Sequence, residues 1–235
     1  MQPKALLFDV FGTVVDWRTG IAQAAAPTFA TRGIESDPAA FADEWRKEYQ
    51  PAMERVRSGA RDYLPLDDLH FENLDRILDR LAVGHLFSEA ERWALNAAWE
   101  QLPPWPDAVP GLERLRTKFI LAPCSNGSIV LMTRLGRHAR LPWDCVLGAD
   151  IAQAYKPAPI VYRRSVAALR LAPNEVMMVA AHNDDLAAAR AEGLLTAFVP
   201  RPEEHGQQQQ SDLEPASDWD VVADDLSDLA IRLDC

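Results

Sequence analysis

Several short apolar runs in this sequence end in side chains that can do chemistry. Asp9 lies at the end of ALLFDV (5–10), and Ser125, Asn126 and Gly127 close and follow FILAPCS (119–125). Tyr155, Lys156 and Pro157 come after CVLGAD (145–150), and His182, Asn183, Asp184 and Asp185 come after EVMMVAA (175–181). Carboxylates, an ammonium group, a hydroxyl and an amide brought to one place could supply a nucleophile, its counter-ion and a base. Each piece alone has a plainer reading. An Asp before a turn commonly caps it or accepts a local hydrogen bond, Ser-Asn-Gly is a good turn, and a lone lysine is a surface residue. A histidine after an apolar strand is as often a core residue with its hydrogen bonds satisfied.

The case for convergence rests on the elements. The runs already named, with LTAFVP (195–200) and WDVVAD (219–224), have the length and composition of buried strands. Helical patterns lie between them, in GLERLRTKF, SIVLMTRLGRHA, PIVYRRSVAALR and DDLAAARAEG. This alternation predicts an α/β fold, a Rossmann-like, doubly wound parallel sheet with both faces covered. In such a sheet ligands bind at the carboxyl ends of the strands, where the polar residues above fall. Residues 17–104 have helical periodicity and no good strand, so they are expected to form an inserted helical cap, with 1–16 and 105–235 as the core. FADEWRKEYQPAMERVR reads as two helical pieces broken at Pro51. The polar segment EEHGQQQQSD (203–212) reads as a flexible surface loop without chemistry. There is no internal repeat.

With 235 residues, 48% hydrophobic and 25% charged, the chain can bury one or two cores, and 11 Gly and 17 Pro exclude collagen-like and disordered classes. The net charge of −11 repels nucleic acid and anionic lipid, and an anionic substrate would need a local cationic pocket. Cys124, Cys145 and Cys235 are odd in number and lack metal-ligand spacing, which predicts free thiols and a cytoplasmic setting. No signal peptide and no membrane-spanning stretch is expected.

Asp-Val-Phe-Gly-Thr after a buried strand, Ser-Asn-Gly after the next, then a distant Lys-Pro and an acidic motif together resemble the haloacid dehalogenase superfamily. The order holds from residue 5 to about 200. Through FDVFGT, WRKEY, SNGS, YKPAPIVY and the last Asp, the sequence resembles the type II L-2-haloacid dehalogenases within it. The resemblance implies Asp9 as nucleophile, Thr13 as its support, Lys156 as its partner and Arg46 as halide receptor. It implies that Ser125 and Asn126 hold the substrate carboxylate, that Val10 and Phe11 line the pocket, that Tyr162 supports the network, and that Asp185 helps activate water. Without the WRKEY match, Arg46 would be read as a solvated helix residue.

Two absences separate this branch from the phosphatases of the superfamily. Phe11 stands where those carry an Asp that protonates the leaving alcohol, and Ala180-Ala181 replaces the Gly-Asp of their magnesium motif. A halide needs no proton, and a carboxylate substrate needs no magnesium. The expected reaction is hydrolytic dehalogenation of a short 2-haloalkanoic acid to the 2-hydroxyacid through an aspartyl ester, with water as co-substrate and no metal or organic cofactor. Ala180 also stands where many dehalogenases have Ser, and His182 where they have Asn; in the second half-reaction Asp185 is the candidate base, alone or through His182, which could polarise water or hydrogen-bond Asp185. The alternatives are a magnesium-dependent phosphatase on the same fold and a non-catalytic binding protein. The resemblance favours a homodimer, although no self-complementary patch is legible in the sequence.

Overall fold

The structure, a computed structural model, describes residues 2–235. Its first strand, β1 (Ala5–Phe8), is followed by five helices: α1 (Trp17–Arg32), α2 (Pro38–Lys47), α3 (Tyr49–Arg57), α4 (Leu66–Arg80) and α5 (Glu89–Asn96). The chain returns through α6 (Ala108–Leu115), β2 (Ile120–Ser125), α7 (Ile129–His138), β3 (Leu147–Gly148), α8 (Ala149–Ala152) and α9 (Pro159–Ala168). It ends with β4 (Val176–Ala180), α10 (Asn183–Ala191), β5 (Leu195–Phe198), β6 (Val221–Val222) and α11 (Leu226–Arg232). All six expected strands form, and all are parallel, in the order β3-β2-β1-β4-β5-β6.

β1 and β4 are buried along their whole length because helices cover both faces, which explains their unbroken apolar sequences. β1 pairs with β2 on one side and β4 on the other, so the strand order switches direction there and leaves a crevice at the carboxyl ends. That crevice receives the residues after β1, β2 and β4.

The helical cap is started by local chemistry. The Asp16 carboxylate accepts the Thr19 N–H, Asp37 caps α2 with Pro38 in its first turn, and Ser88 and Glu91 form a reciprocal capping box on α5. Phe29, Phe41, Trp45, Leu74 and Trp99 fill its interior.

Two expectations change. The helix break falls at Glu48, between α2 and α3, and not at Pro51. Pro51 sits in the first turn of α3, where an amide proton would have no helical partner, so the ring costs nothing there. The segment after β5 is exposed for most of 203–212 but begins as a buried anchor. Arg201 forms a bidentate pair with Asp107 at 2.8 and 2.7 Å and donates to the Thr13 carbonyl at 2.9 Å, and Glu204 is 2% exposed.

Candidate active site

Three hydrogen bonds set the Asp9 carboxylate. The chain turns directly after it, with the Val14 and Val15 N–H groups donating to the Val10 carbonyl and Gly12 at φ +89°. That turn returns the Thr13 hydroxyl to Asp9 Oδ2 at 2.8 Å, while the same oxygen of Thr13 accepts the Ala181 N–H at 2.9 Å. Thr13 therefore stitches the end of β1 to the end of β4. Lys156 Nζ donates to Asp9 Oδ1 at 2.9 Å and also to Asp185, whose other oxygen accepts the Tyr162 hydroxyl at 2.5 Å. His182 Nδ1 lies 3.0 Å from Asp9 Oδ2, and its Nε2 lies 2.8 Å from Glu204 Oε2. Glu204 Oε1 accepts the Trp17 indole N–H at 2.9 Å.

The charges follow from these contacts. Burial would raise the Asp9 carboxyl, but the Lys156 ammonium and His182 outweigh it and hold the group well below the usual carboxylate range. Burial opposes the charge on Lys156 as well, and Asp185 and Asp9 push it back above its ordinary value. His182 sits between two carboxylates, so both ring nitrogens must donate. Against the effect of burial, Glu204 and Asp9 raise it well above the usual imidazole range, and it stands as an imidazolium. Asp185 is raised by burial, with Lys156 opposing.

Beside this cluster opens a cavity of about 840 Å³, with Phe11, Trp17, Arg46, Tyr49, Asn126 and His182 in its wall. The Arg46 guanidinium lies 3.9 Å from the Tyr49 ring centre, 5.2 Å from that of Trp17 and 5.9 Å from that of Phe11. Its Nη1 is buried and has no hydrogen-bond partner among the described residues. A desolvated cationic donor left open in an aromatic recess is chemically able to receive an anion.

The placement of the expected residues is uneven. Asp9, Thr13, Lys156, His182 and Asp185 form one network, although His182 meets Asp9 and Glu204 and not Asp185, which Lys156 and Tyr162 hold; Arg46 and Phe11 face the cavity from the cap and from the turn after β1. Asn126 lines the cavity while its Oδ1 accepts the Lys156 N–H at 2.7 Å. Val10, Ser125 and Tyr162 stand behind the wall. Val10 packs in the core, the Ser125 hydroxyl accepts the Gly127 N–H at 3.1 Å, and Tyr162 holds Asp185 from the protein side. The local field is not simply cationic either, because Asp43, Asp184 and Glu204 share the cavity with Arg46 and Lys47.

Sequence reasoning missed Glu204, Tyr49 and His70. Glu204 follows β5, so the rule that singled out the ends of the other strands also pointed to it. Its neighbours in a polar segment hid the signal. His70 is buried with neither ring nitrogen hydrogen-bonded among the described residues, and it stacks 4.1 Å from Trp99. Burial and the nearby Arg46 charge lower it, so it is a neutral ring packed behind the cavity against Phe11, Tyr49 and Trp99.

Magnesium, which other branches of the fold use, does not fit this donor set. Phe11, Ala180 and Ala181 offer no side-chain oxygen, and both oxygens of Asp9 already accept from Lys156, Thr13 and His182.

A Rossmann-like sheet with a helical cap and a buried, hydrogen-bonded Asp after β1 is the arrangement of a class of capped hydrolases. The haloacid dehalogenase-like hydrolase family matches residues 3–193, and the chain belongs to it. It is 26% identical to an (S)-2-haloacid dehalogenase 4A of Burkholderia cepacia over 84% of this chain and 83% of that one. A solved defluorinating L-2-haloacid dehalogenase is 48% identical, with a TM-score of 0.97 over 99% of this chain and 96% of the other. A second solved L-2-haloacid dehalogenase is 43% identical, with a TM-score of 0.95 over 99% of both chains.

Proposed function

We propose that this protein hydrolyses the carbon–halogen bond of short (S)-2-haloalkanoic acids, giving the 2-hydroxyacid through an ester on Asp9. The observation that carries this reading is the ionised Asp9, held by Lys156, Thr13 and His182 beside an open guanidinium donor in an aromatic recess. Similarity to the L-2-haloacid dehalogenases supports it.

In the first step an Asp9 oxygen attacks C2 from behind the carbon–halogen bond, and the halide leaves toward Arg46. Oδ1 accepts from one donor and Oδ2 from two, so Oδ1 keeps the freer lone pair and is the attacking atom. Asn126, whose Oδ1 is taken by the Lys156 N–H, retains its amide protons for the substrate carboxylate, with Ser125 behind it. In the second step water adds to the Asp9 carboxyl carbon with Asp185 as base. The cap is assigned to 17–104 and the core to 1–16 and 105–235. The protein works in the reducing cytoplasm as a homodimer, a setting consistent with its three free thiols.

Single turnover with excess enzyme in H₂¹⁸O tests the route. The first hydroxyacid should carry unlabelled oxygen and the label should appear in the Asp9 peptide; ¹⁸O in that first product would mean direct attack by water and refute the ester. The substrate panel is fluoro-, chloro- and bromoacetate with both 2-chloropropionate enantiomers. Fluoroacetate belongs in it because one relative is described as defluorinating.

A further inference from the structure

The loop after β5 closes the site from a side the mechanism above leaves unused. Glu204 is 2% exposed, and its carboxylate occupies the space against Gly12, where an added Cβ would lie 2.1 Å from Oε1. Both its oxygens are engaged, one by Trp17 of the cap and one by His182. A buried carboxylate held this firmly against an imidazole fixes both the ring's orientation and its charge.

We propose that Glu204 is a positioning residue which keeps His182 as an imidazolium, so that His182 Nδ1–H and the Thr13 hydroxyl form an oxyanion hole on Asp9 Oδ2 during ester hydrolysis. This rests on the dehalogenase reading. Once Oδ1 is alkylated, Oδ2 is the ester carbonyl oxygen, and the two donors already lie 2.8 and 3.0 Å from it. Those distances are right for an oxyanion. The Thr13 proton is directed there because its oxygen accepts the Ala181 N–H.

Water adds its oxygen to the Asp9 carboxyl carbon and gives one proton to Asp185, and the carbonyl electron pair moves onto Oδ2. Collapse of this adduct breaks the bond from that carbon to Oδ1, which departs on the product and takes the proton from Asp185. The water-derived hydroxyl on Asp9 releases its proton to solvent, which restores the carboxylate. His182 stays protonated throughout, which a general base could not do. Alkylation removes the Asp9 charge, leaving Glu204 as the remaining anion against the ring. Arg46 and His205 face Glu204 from the other side, and Lys156 keeps Asp185 as its partner.

The test is rapid quench with (S)-2-chloropropionate on wild type and Glu204→Gln, a change that removes charge and keeps shape. The variant should release about one equivalent of halide in a burst and then form hydroxyacid at least tenfold more slowly than wild type, with the substrate mass on the Asp9 peptide. In wild type the ester-hydrolysis rate should fall as pH rises through the His182 ionisation, and in Glu204→Gln that fall should move to lower pH. Halide and hydroxyacid slowing together without ester, or unchanged kinetics, would overturn the proposal. So would a wild-type rate with no falling limb at higher pH, since ionisation of Asp185 as base accounts only for a rise at lower pH, and this arm decides even if Glu204→Gln does not fold. A wild type that releases no halide overturns the dehalogenase reading and this inference with it.

Discussion

Lys156 serves two carboxylates at once, and its loss should tell more about the site than the loss of either acid. Removing it leaves Asp9 and Asp185 buried without their shared cation, a change expected to cost about 3–5 kcal/mol. In wild type the depressed Asp9 contributes stability that is present above its unfolded pKa and lost as pH falls through the folded value. In Lys156→Met the two carboxyls repel, their folded pKa values rise, and proton uptake favours the folded state. Urea unfolding should show the gap between Lys156→Met and wild type shrinking from pH 7 to pH 5. A constant gap would mean the lysine is only packed there. For Arg46→Lys, which keeps the charge but loses the planar donor, halide release should drop at least tenfold with unchanged thermal stability. At this scale the sequence was informative after β1, β3 and β4, where Asp9, Lys156, His182 and Asp185 lie, and not after β5, where a polar segment hid Glu204. The charge on His182 was not legible, because it depends on carboxylates 173 and 22 residues away in the chain.

Two turns carry the geometry between elements. Gly12, at φ +89°, lets the chain reverse after β1 and leaves room for the Glu204 carboxylate. Gly12→Ala should both strain the turn and displace Glu204, and trapped ester on Asp9 should be visible by mass spectrometry as in Glu204→Gln. The joint at Glu48 places Arg46 at the end of α2 and Tyr49 at the start of α3, which brings ring and guanidinium within 3.9 Å. Pro51→Ala should leave that joint in place and reduce stability by only about 0.4–1 kcal/mol, through the looser unfolded chain. A larger loss on urea unfolding would mean that the proline itself sets the break. The strands were legible because fully buried parallel strands are continuous apolar runs. The joint was not, since proline marks where a helix lacks a donor and here the first turn of α3 supplied that place.

Across the whole molecule, the net charge of −11 opposes the approach of an anionic substrate, and this should show as a salt effect. Raising ionic strength with sulfate from about 0.01 to 0.15 M should increase kcat/KM about twofold and leave kcat unchanged, whereas a fall would show that the Arg46 recess dominates the field at long range. Cap and core are tied on several sides of the cavity. The Tyr155 hydroxyl donates to the Leu64 carbonyl at 2.5 Å, the Tyr63 hydroxyl to Asp150 at 2.6 Å, and Arg57 to the Lys156 carbonyl at 2.9 Å. None of these ties has a local sequence signal, since each joins segments far apart in the chain. The contact between Trp17 and Glu204 spans 187 residues, and that distance has a meaning in time. At about 5–20 residues per second of synthesis, on the order of 10–40 s separates the emergence of the two side chains from the ribosome. Through that interval Asp9 has already been made while the carboxylate that holds His182 has not, so the nascent chain carries an incomplete cluster, and the proposed part for Glu204 would make competence for turnover arrive late in translation.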